Sequence, residues 1–238
     1  MPKINHLATV GCSHSSHMVG RSWPNFLKDQ LGCNLNMAYS SGAGNEMNIE
    51  KVKLLLDSKP DLLIVQLTDP SRYVVGITNF SNGLPDQKRN LTSPNRIKDI
   101  FYYTFNPHEN NQNIKNLVGR QVDADSFVIN HVITSNYNMY YKVMHTISSM
   151  AFLASQKHVP IVFFSWSVDI HSMIKKYGYD KIFSNLLIIP GYVEQFVKKQ
   201  NLKPIPVGEF GSGHHRSENQ KIITEQFILP YLKEKKLI

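Results

Sequence analysis

Two segments near opposite ends of the chain carry the residue types of acyl transfer. Close to the start, the apolar run after His6 closes in Gly11-Cys12-Ser13. A small-residue turn at the carboxyl end of a strand is how an open α/β sheet presents a hydroxyl nucleophile. Close to the end, Gly213-His214-His215-Arg216-Ser217 precedes a final helical pattern and offers an imidazole as general base. Ser13 and His215 are remote in sequence, so only a fold whose strand ends converge on one edge can join them. Two further segments close strand-like runs: Ser41-Gly42-Ala43-Gly44-Asn45, and Gln66-Leu67-Thr68-Asp69-Pro70-Ser71-Arg72. Together the four supply a hydroxyl, glycine amides, polar donors and an imidazole, the parts of a nucleophile, an oxyanion hole and a base.

Each residue also has a plainer reading. Ser13 can cap its turn, Gly42 and Gly44 can serve turn geometry, and Thr68-Asp69-Pro70-Ser71 suits a turn leading into a helix. Arg72 fits either an ion-pair partner or an anion hook, and His215 fits a cap-region histidine. Cys12 reads as a small buried residue rather than the nucleophile. His14, His17, His214 and His215 raise the separate possibility of a divalent metal site, but they match no standard metalloenzyme spacing. Gly42-Ala43-Gly44 is too short for a dinucleotide fingerprint, and no phosphate loop with its lysine is present. The residues by themselves thus offer neither a standard metal site nor a nucleotide-binding motif.

The elements that would position these residues alternate. Leu7–Gly11 reads as a strand. Ser22-Trp23-Pro24 opens a helix with serine as cap, and Gly32 stops it. Asn34–Tyr39 is a second strand, and a helix with Ile49, Val52, Leu55 and Leu56 inward runs to about Ser58. Leu62–Leu67 is the continuous apolar strand of a sheet covered on both faces. Asn136–Gln156 is a long helix in which Tyr140, Val143, Met144, Ile147, Met150, Ala151 and Ala154 recur at spacings of three and four. Ile161–Trp166 is another strand, Asp169 starts a short helix, and Tyr192–Lys199 is a further one. Lys203–Val207, with two prolines, reads as a short edge strand. Ser217–Lys235 is the last helix, bent at Pro230. Residues from about 73 to 130 are rich in Asn, Pro, Tyr and Phe and read as an insertion over the strand ends, in a single domain spanning 1–238.

The chain has 238 residues, with 42% hydrophobic and 18% charged, which suits a globular domain with a full core. The net charge of +8 comes from scattered lysines and reads as a solvated basic surface. Nucleic-acid binding would rest only on that charge and on scattered aromatics. Two cysteines make no disulfide framework. No apolar run approaches the ~18 residues of a membrane span, and the first residues lack the apolar core of a signal peptide. A cytoplasmic protein is expected, or one carried in a virion if a phage encodes it.

Taken in order, these motifs resemble the SGNH (GDSL-like) hydrolases, and among them the divergent members of marine phages and bacteria that begin Gly-Cys-Ser. The resemblance rests on Gly11-Cys12-Ser13, Ser22-Trp23-Pro24, Asn36 with Gly42-Ala43-Gly44-Asn45, Thr68 with Arg72, and His215-Arg216-Ser217. It covers residues 6–72 well and 159–235 less closely. It implies a three-layer α/β/α fold with a parallel sheet of about five strands in the order 2-1-3-4-5. It also implies Ser13 as nucleophile, Gly42 as an oxyanion N–H donor, Thr68 at the family's oxyanion asparagine, and His215 as base. Ser212 stands where the family has the aspartate that orients the histidine; Glu209 or Asp169 would have to substitute for it, and Asn45 could add an oxyanion donor. The activity implied is hydrolysis of an ester, such as an O-acetyl group on a saccharide, without a cofactor. The alternative is an SGNH-like fold with altered catalysis that binds a ligand or assembles with a partner. The oligomeric state is left open.

Overall fold

The computed structural model describes residues 3–16, 19–39, 44–70, 136–178 and 186–238, with the strand backbone at 73–77, 96–97 and 100–105. Strand β1 (His6–Gly11) leads to helix α1 (Trp23–Leu31), β2 (Asn34–Tyr39), α2 (Asn45–Leu56) and β3 (Leu62–Leu67). A three-stranded antiparallel sheet follows, from β4 (Tyr73–Ile77), β5 (Arg96–Ile97) and β6 (Ile100–Phe105), in the order β4-β6-β5. It occupies the first part of the expected insertion; the remainder to 130 lies outside the described residues. The chain continues through α3 (Asn136–Gln156), β7 (Ile161–Ser165), α4 (Ile170–Lys176), β8 (Leu187–Tyr192) and α5 (Val193–Lys199), and ends in a broken helix.

The main sheet has five strands in the order β2-β1-β3-β7-β8, every neighbouring pair parallel. Counting only these strands, that is 2-1-3-4-5, as expected. Strand side chains alternate between faces, so β3 feeds two cores. Leu63 and Val65 join Val52, Leu56, Val143, Ile147 and Met150 on the side of α2 and α3. Leu62 and Ile64 join Trp23, Leu27, Ile223 and Leu232 on the side of α1 and the last helix. All six residues of β3 are buried, which is why five of the six are apolar. Removing one of them, as in Ile64→Ala, would cost about 2–5 kcal/mol through lost burial and the cavity left behind.

The structure corrects three local expectations. Lys203–Val207 forms no strand, and the fifth strand is Leu187–Tyr192. Pro204 and Pro206 lack N–H groups, and between them Ile205 pairs. It does so locally, its N–H bonding the His214 carbonyl at 2.7 Å and its carbonyl taking the Gly213 N–H at 3.1 Å. β8 escapes the sequence pattern because Pro190-Gly191 interrupts it. At a sheet edge both are tolerated, with a register shift beside them. The last helix is three segments: α6 (Ser217–Ile223), a π-turn (Thr224–Ile228) and α7 (Leu229–Glu234). Pro230 cannot donate to the fourth residue back, and the helix answers with a wider turn just before it. Finally, Ser22 sits at the N-cap position of α1, but its hydroxyl donates to the Ser15 carbonyl at 2.9 Å and accepts no backbone N–H of the helix. That bond ties α1 to the turn after β1.

Candidate functional site

After Gly11 the chain makes one tight turn of 3-10 helix over Ser13–Ser15. A side chain at position 11 would overlap the Ser15 hydroxyl, so glycine is required there. Ser15 Oγ donates to Gln66 Oε1 at 2.5 Å and accepts from Trp23 Nε1 at 3.0 Å. Gln66 Nε2 in turn donates to Cys12 Sγ at 3.0 Å. Gln66 is the one polar residue of β3 and has no solvent exposure. It fastens the turn to the centre of the sheet.

A buried lysine supports the turn from below. Lys51 Nζ donates to the Gly11 carbonyl at 3.1 Å and to Asn48 Oδ1 at 3.4 Å. Burial pushes its pKa down to about 7, because an ammonium loses its hydration there. Ser13 is held through its carbonyl, which accepts from the Ser16 N–H at 3.1 Å and the Ser16 hydroxyl at 2.6 Å. Among the described residues, the Ser13 hydroxyl carries no hydrogen bond.

Asn45 and Thr68 meet at the same edge. Asn45 Nδ2 donates to the Thr68 carbonyl at 3.0 Å, and the Thr68 N–H donates to Asn45 Oδ1 at 2.8 Å. The pair clamps the start of α2 to the end of β3, so the Asn45 amide is engaged with main chain. Gly42, Arg72 and His17 lie outside the described residues.

The histidines arrive on a loop shaped by glycine. Gly211 and Gly213 have φ of 80° and 79°, the left-handed region that other residues avoid. Two successive bends carry His214 Nδ1 back to the Gly211 carbonyl at 3.1 Å and the Ser212 carbonyl at 3.3 Å. His215 is buried, with Nδ1 3.2 Å from Asn219 Nδ2, one helical turn on. Asn219 Nδ2 also donates to the Lys203 carbonyl at 2.8 Å. Burial, followed by the neighbouring His214, pulls the His215 pKa below that of an ordinary histidine, and the Lys203 carbonyl opposes this.

Ring packing brings the two ends of the chain together. His14, the residue after Ser13, stacks on Trp166 at 3.8 Å between centroids, and its ring lies 4.5 Å from that of His214. Trp166 is 6.2 Å from His215. Trp166 follows β7, so the cluster joins the ends of β1 and β7 to the histidine loop. Beside it opens a cavity of about 440 Å³ lined by His14, Trp166, Glu194, Lys198, Lys203 and His215, among others. Burial and the nearby Asp69 push the Glu194 carboxyl upward.

The acids named as substitutes for the missing aspartate are engaged elsewhere. Glu209 pairs with Arg216 at 2.8 Å, and Asp169 caps α4 through the Ser172 N–H at 3.0 Å and hydroxyl at 2.7 Å. Ser212 is exposed. Among the described residues no carboxylate is hydrogen-bonded to His215, and no Ser13–His215 hydrogen bond is formed. No cluster of three or more His, Cys, Asp or Glu there could hold a metal, and no helix there is long and apolar enough to cross a membrane.

Sequence reasoning missed Gln66, Lys51, Trp166 and Asn219. Two of them left a signal. Gln66 interrupts an apolar strand, and Lys51 falls on the buried stripe Asn48, Lys51, Val52, Leu55 of α2. Trp166 and Asn219 act through distances that packing creates.

No protein-family model matches the chain, and no curated protein sequence matches it. Among solved structures, a protein assigned to the G-D-S-L lipolytic family from Desulfitobacterium hafniense DCB-2 aligns over 98% of each chain, with 11% identity and a TM-score of 0.47. The salicylyl-acyltransferase SsfX3 of a tetracycline biosynthetic pathway aligns over 94% of this chain and 53% of its own, with 10% identity and a TM-score of 0.47. Neither likeness transfers a residue or an activity to this chain.

Proposed function

We propose that this protein is an SGNH-type serine hydrolase of esters, with Ser13 as nucleophile and an imidazole of the His214–His215 pair as base. The observation that carries the reading is the ring cluster of His14, Trp166, His214 and His215, which sets an imidazole pair beside the turn bearing an uncommitted serine hydroxyl. Ser13 Oγ would attack the ester carbonyl while its proton passes to the imidazole. The oxyanion would be held by the N–H groups of Ser13 and Gly42 and by the Thr68 hydroxyl. Collapse of the tetrahedral intermediate returns the proton to the departing alcohol and leaves an acyl-serine. Water, deprotonated by the same imidazole, then releases the acid and restores the serine.

An O-acetylated saccharide is the substrate class we favour. The adjoining cavity combines an aromatic ring with charged and amide side chains, the mixture that suits a hydroxylated ligand. The test is labelling with a fluorophosphonate probe, followed by acetate release from acetylated sugars. Labelling of the wild type that vanishes in Ser13→Ala supports the reading. A second reading, a ligand-binding protein on the same fold, is favoured by the lack of a carboxylate on His215 among the described residues. Failure of the folded wild type to label would put it first.

A further inference from the structure

We infer that His214, rather than the expected His215, is the general base; the inference rests on the serine-hydrolase reading. A histidine that serves a serine needs one ring nitrogen protonated and held by an acceptor, with the other free as a lone pair. His214 meets that requirement. Its Nδ1 faces the Gly211 and Ser212 carbonyls at 3.1 and 3.3 Å, and carbonyl oxygens only accept, so the proton sits on Nδ1. Nε2 is then a bare acceptor. It is buried and, among the described residues, has no hydrogen-bond partner. Native structures rarely leave such an atom unsatisfied away from a functional site.

His215 is arranged in the opposite sense. Its Nδ1 lies 3.2 Å from Asn219 Nδ2, an amide nitrogen whose identity is set by its bond to the Lys203 carbonyl. An amide nitrogen only donates, so Nδ1 of His215 accepts and its proton sits on Nε2. In that tautomer no lone pair remains for a serine. Position is consistent with this: the His214 ring lies 4.5 Å from that of His14, the residue next to Ser13, and both His14 and His215 line the adjoining cavity.

In this assignment the Ser13 Oγ proton moves to His214 Nε2 as oxygen bonds to the ester carbon. The imidazolium keeps its Nδ1–H on the Gly211 carbonyl, and the Nε2 proton then leaves with the alcohol. Two neutral carbonyls replace the aspartate. They fix the tautomer without a full counter-charge, and Gly211 and Gly213 are the residues that let the main chain fold back to do so.

The test has two arms on the full chain. Long-range ¹H–¹⁵N correlation of the wild type at pH 8 should show His214 protonated at Nδ1 and His215 at Nε2. The second-order rate of fluorophosphonate labelling should fall by about 10²–10⁴ in His214→Gln, the usual contribution of a general base. A His214 ring protonated at Nε2, or wild-type labelling by His214→Gln, overturns the inference. Labelling lost in His215→Gln but kept in His214→Gln returns the role to His215 and leaves the serine-hydrolase reading standing. Absence of labelling in folded wild type overturns both. Should His214→Gln fail to fold, the wild-type spectrum decides alone.

Discussion

The Ser13 turn is held by buried side chains from three other elements, whereas the loop from Glu209 to His214 holds the His214 imidazole with its own main chain. Around Ser13, Gln66 from β3, Lys51 from α2 and Trp23 from α1 all converge on residues 11 to 15. Around His214 the contacts are carbonyls two and three residues away, and nearby Val207 and Phe210 are 97% and 80% exposed. A nucleophile fixed by the core moves only if the core moves. A base fixed by a surface loop can open at a fraction of the global unfolding free energy. The arrangement suits a site that keeps its serine rigid and admits ligand beside the histidines.

The comparison can be broken at several points. The largest effect belongs to Ser13→Ala, which removes the nucleophilic hydroxyl of the proposed chemistry. Labelling and ester hydrolysis should fall to background while thermal unfolding stays within a degree or two, since that hydroxyl makes no bond among the described residues.

Next comes Lys51. Its folded pKa of about 7 lies below the ordinary 10.5, so between those values the unfolded chain binds a proton that the folded chain does not. Stability therefore rises with pH across that window, with a slope that approaches about 1.4 kcal/mol per unit, or about 2 kcal/mol from pH 7 to 9. Above pH 9 the Cys33 thiol, and above pH 10 the Tyr231 phenol, both pushed up by burial, oppose the rise. Chemical denaturation at pH 7, 8 and 9 should show the slope in wild type and its loss in Lys51→Met. Equal slopes would remove the lysine from this account.

Gln66→Leu comes third. It leaves the Ser15 hydroxyl proton without its acceptor in the core, while the Trp23 indole N–H keeps the Ser15 oxygen, and should cost about 1–3 kcal/mol in denaturant unfolding.

On the loop, Gly213→Ala should cost only about 1–2 kcal/mol, the penalty of a left-handed alanine. It should nevertheless slow labelling more than Gln66→Leu does per kcal/mol lost, because it turns His214 directly. The reverse ranking would mean that the loop is as firmly held as the turn. Smallest of all is Arg216→Ala, which breaks an exposed ion pair with Glu209 and should shift stability by about 0.5 kcal/mol or less.

Much of the scaffold was legible in the sequence because burial leaves a pattern. Leu62–Leu67 had to be a doubly covered strand, and the stripe from Tyr140 to Ala154 had to be one face of a helix. The observed α3 spans the same residues. β8 was illegible because Pro190-Gly191 mimics a breaker, and only its place at the edge makes the pair harmless. Lys203–Val207 misled for the converse reason: its alternation looked like a strand, but prolines at 204 and 206 remove the N–H groups of one edge, and the Ile205 N–H is taken by the His214 carbonyl. In the site, the serine and the histidine pair stood out by type. The choice between the two imidazoles did not.

By itself the sequence determined most of the strands and helices of the main sheet and its cover, and that a hydroxyl lies near the start of the chain and two imidazoles near its end. Periodicity and residue chemistry are local properties, so they are written in the order of residues. The tertiary structure alone decided that Gln66 and Lys51 underpin the serine turn, that Trp166 and His14 stack, and that Glu209 and Asp169 serve other partners. It also decided which ring nitrogen of each histidine meets an acceptor and which a donor. Those outcomes depend on ångström-scale distances between elements remote in sequence, and such distances exist only once both faces of the sheet are packed.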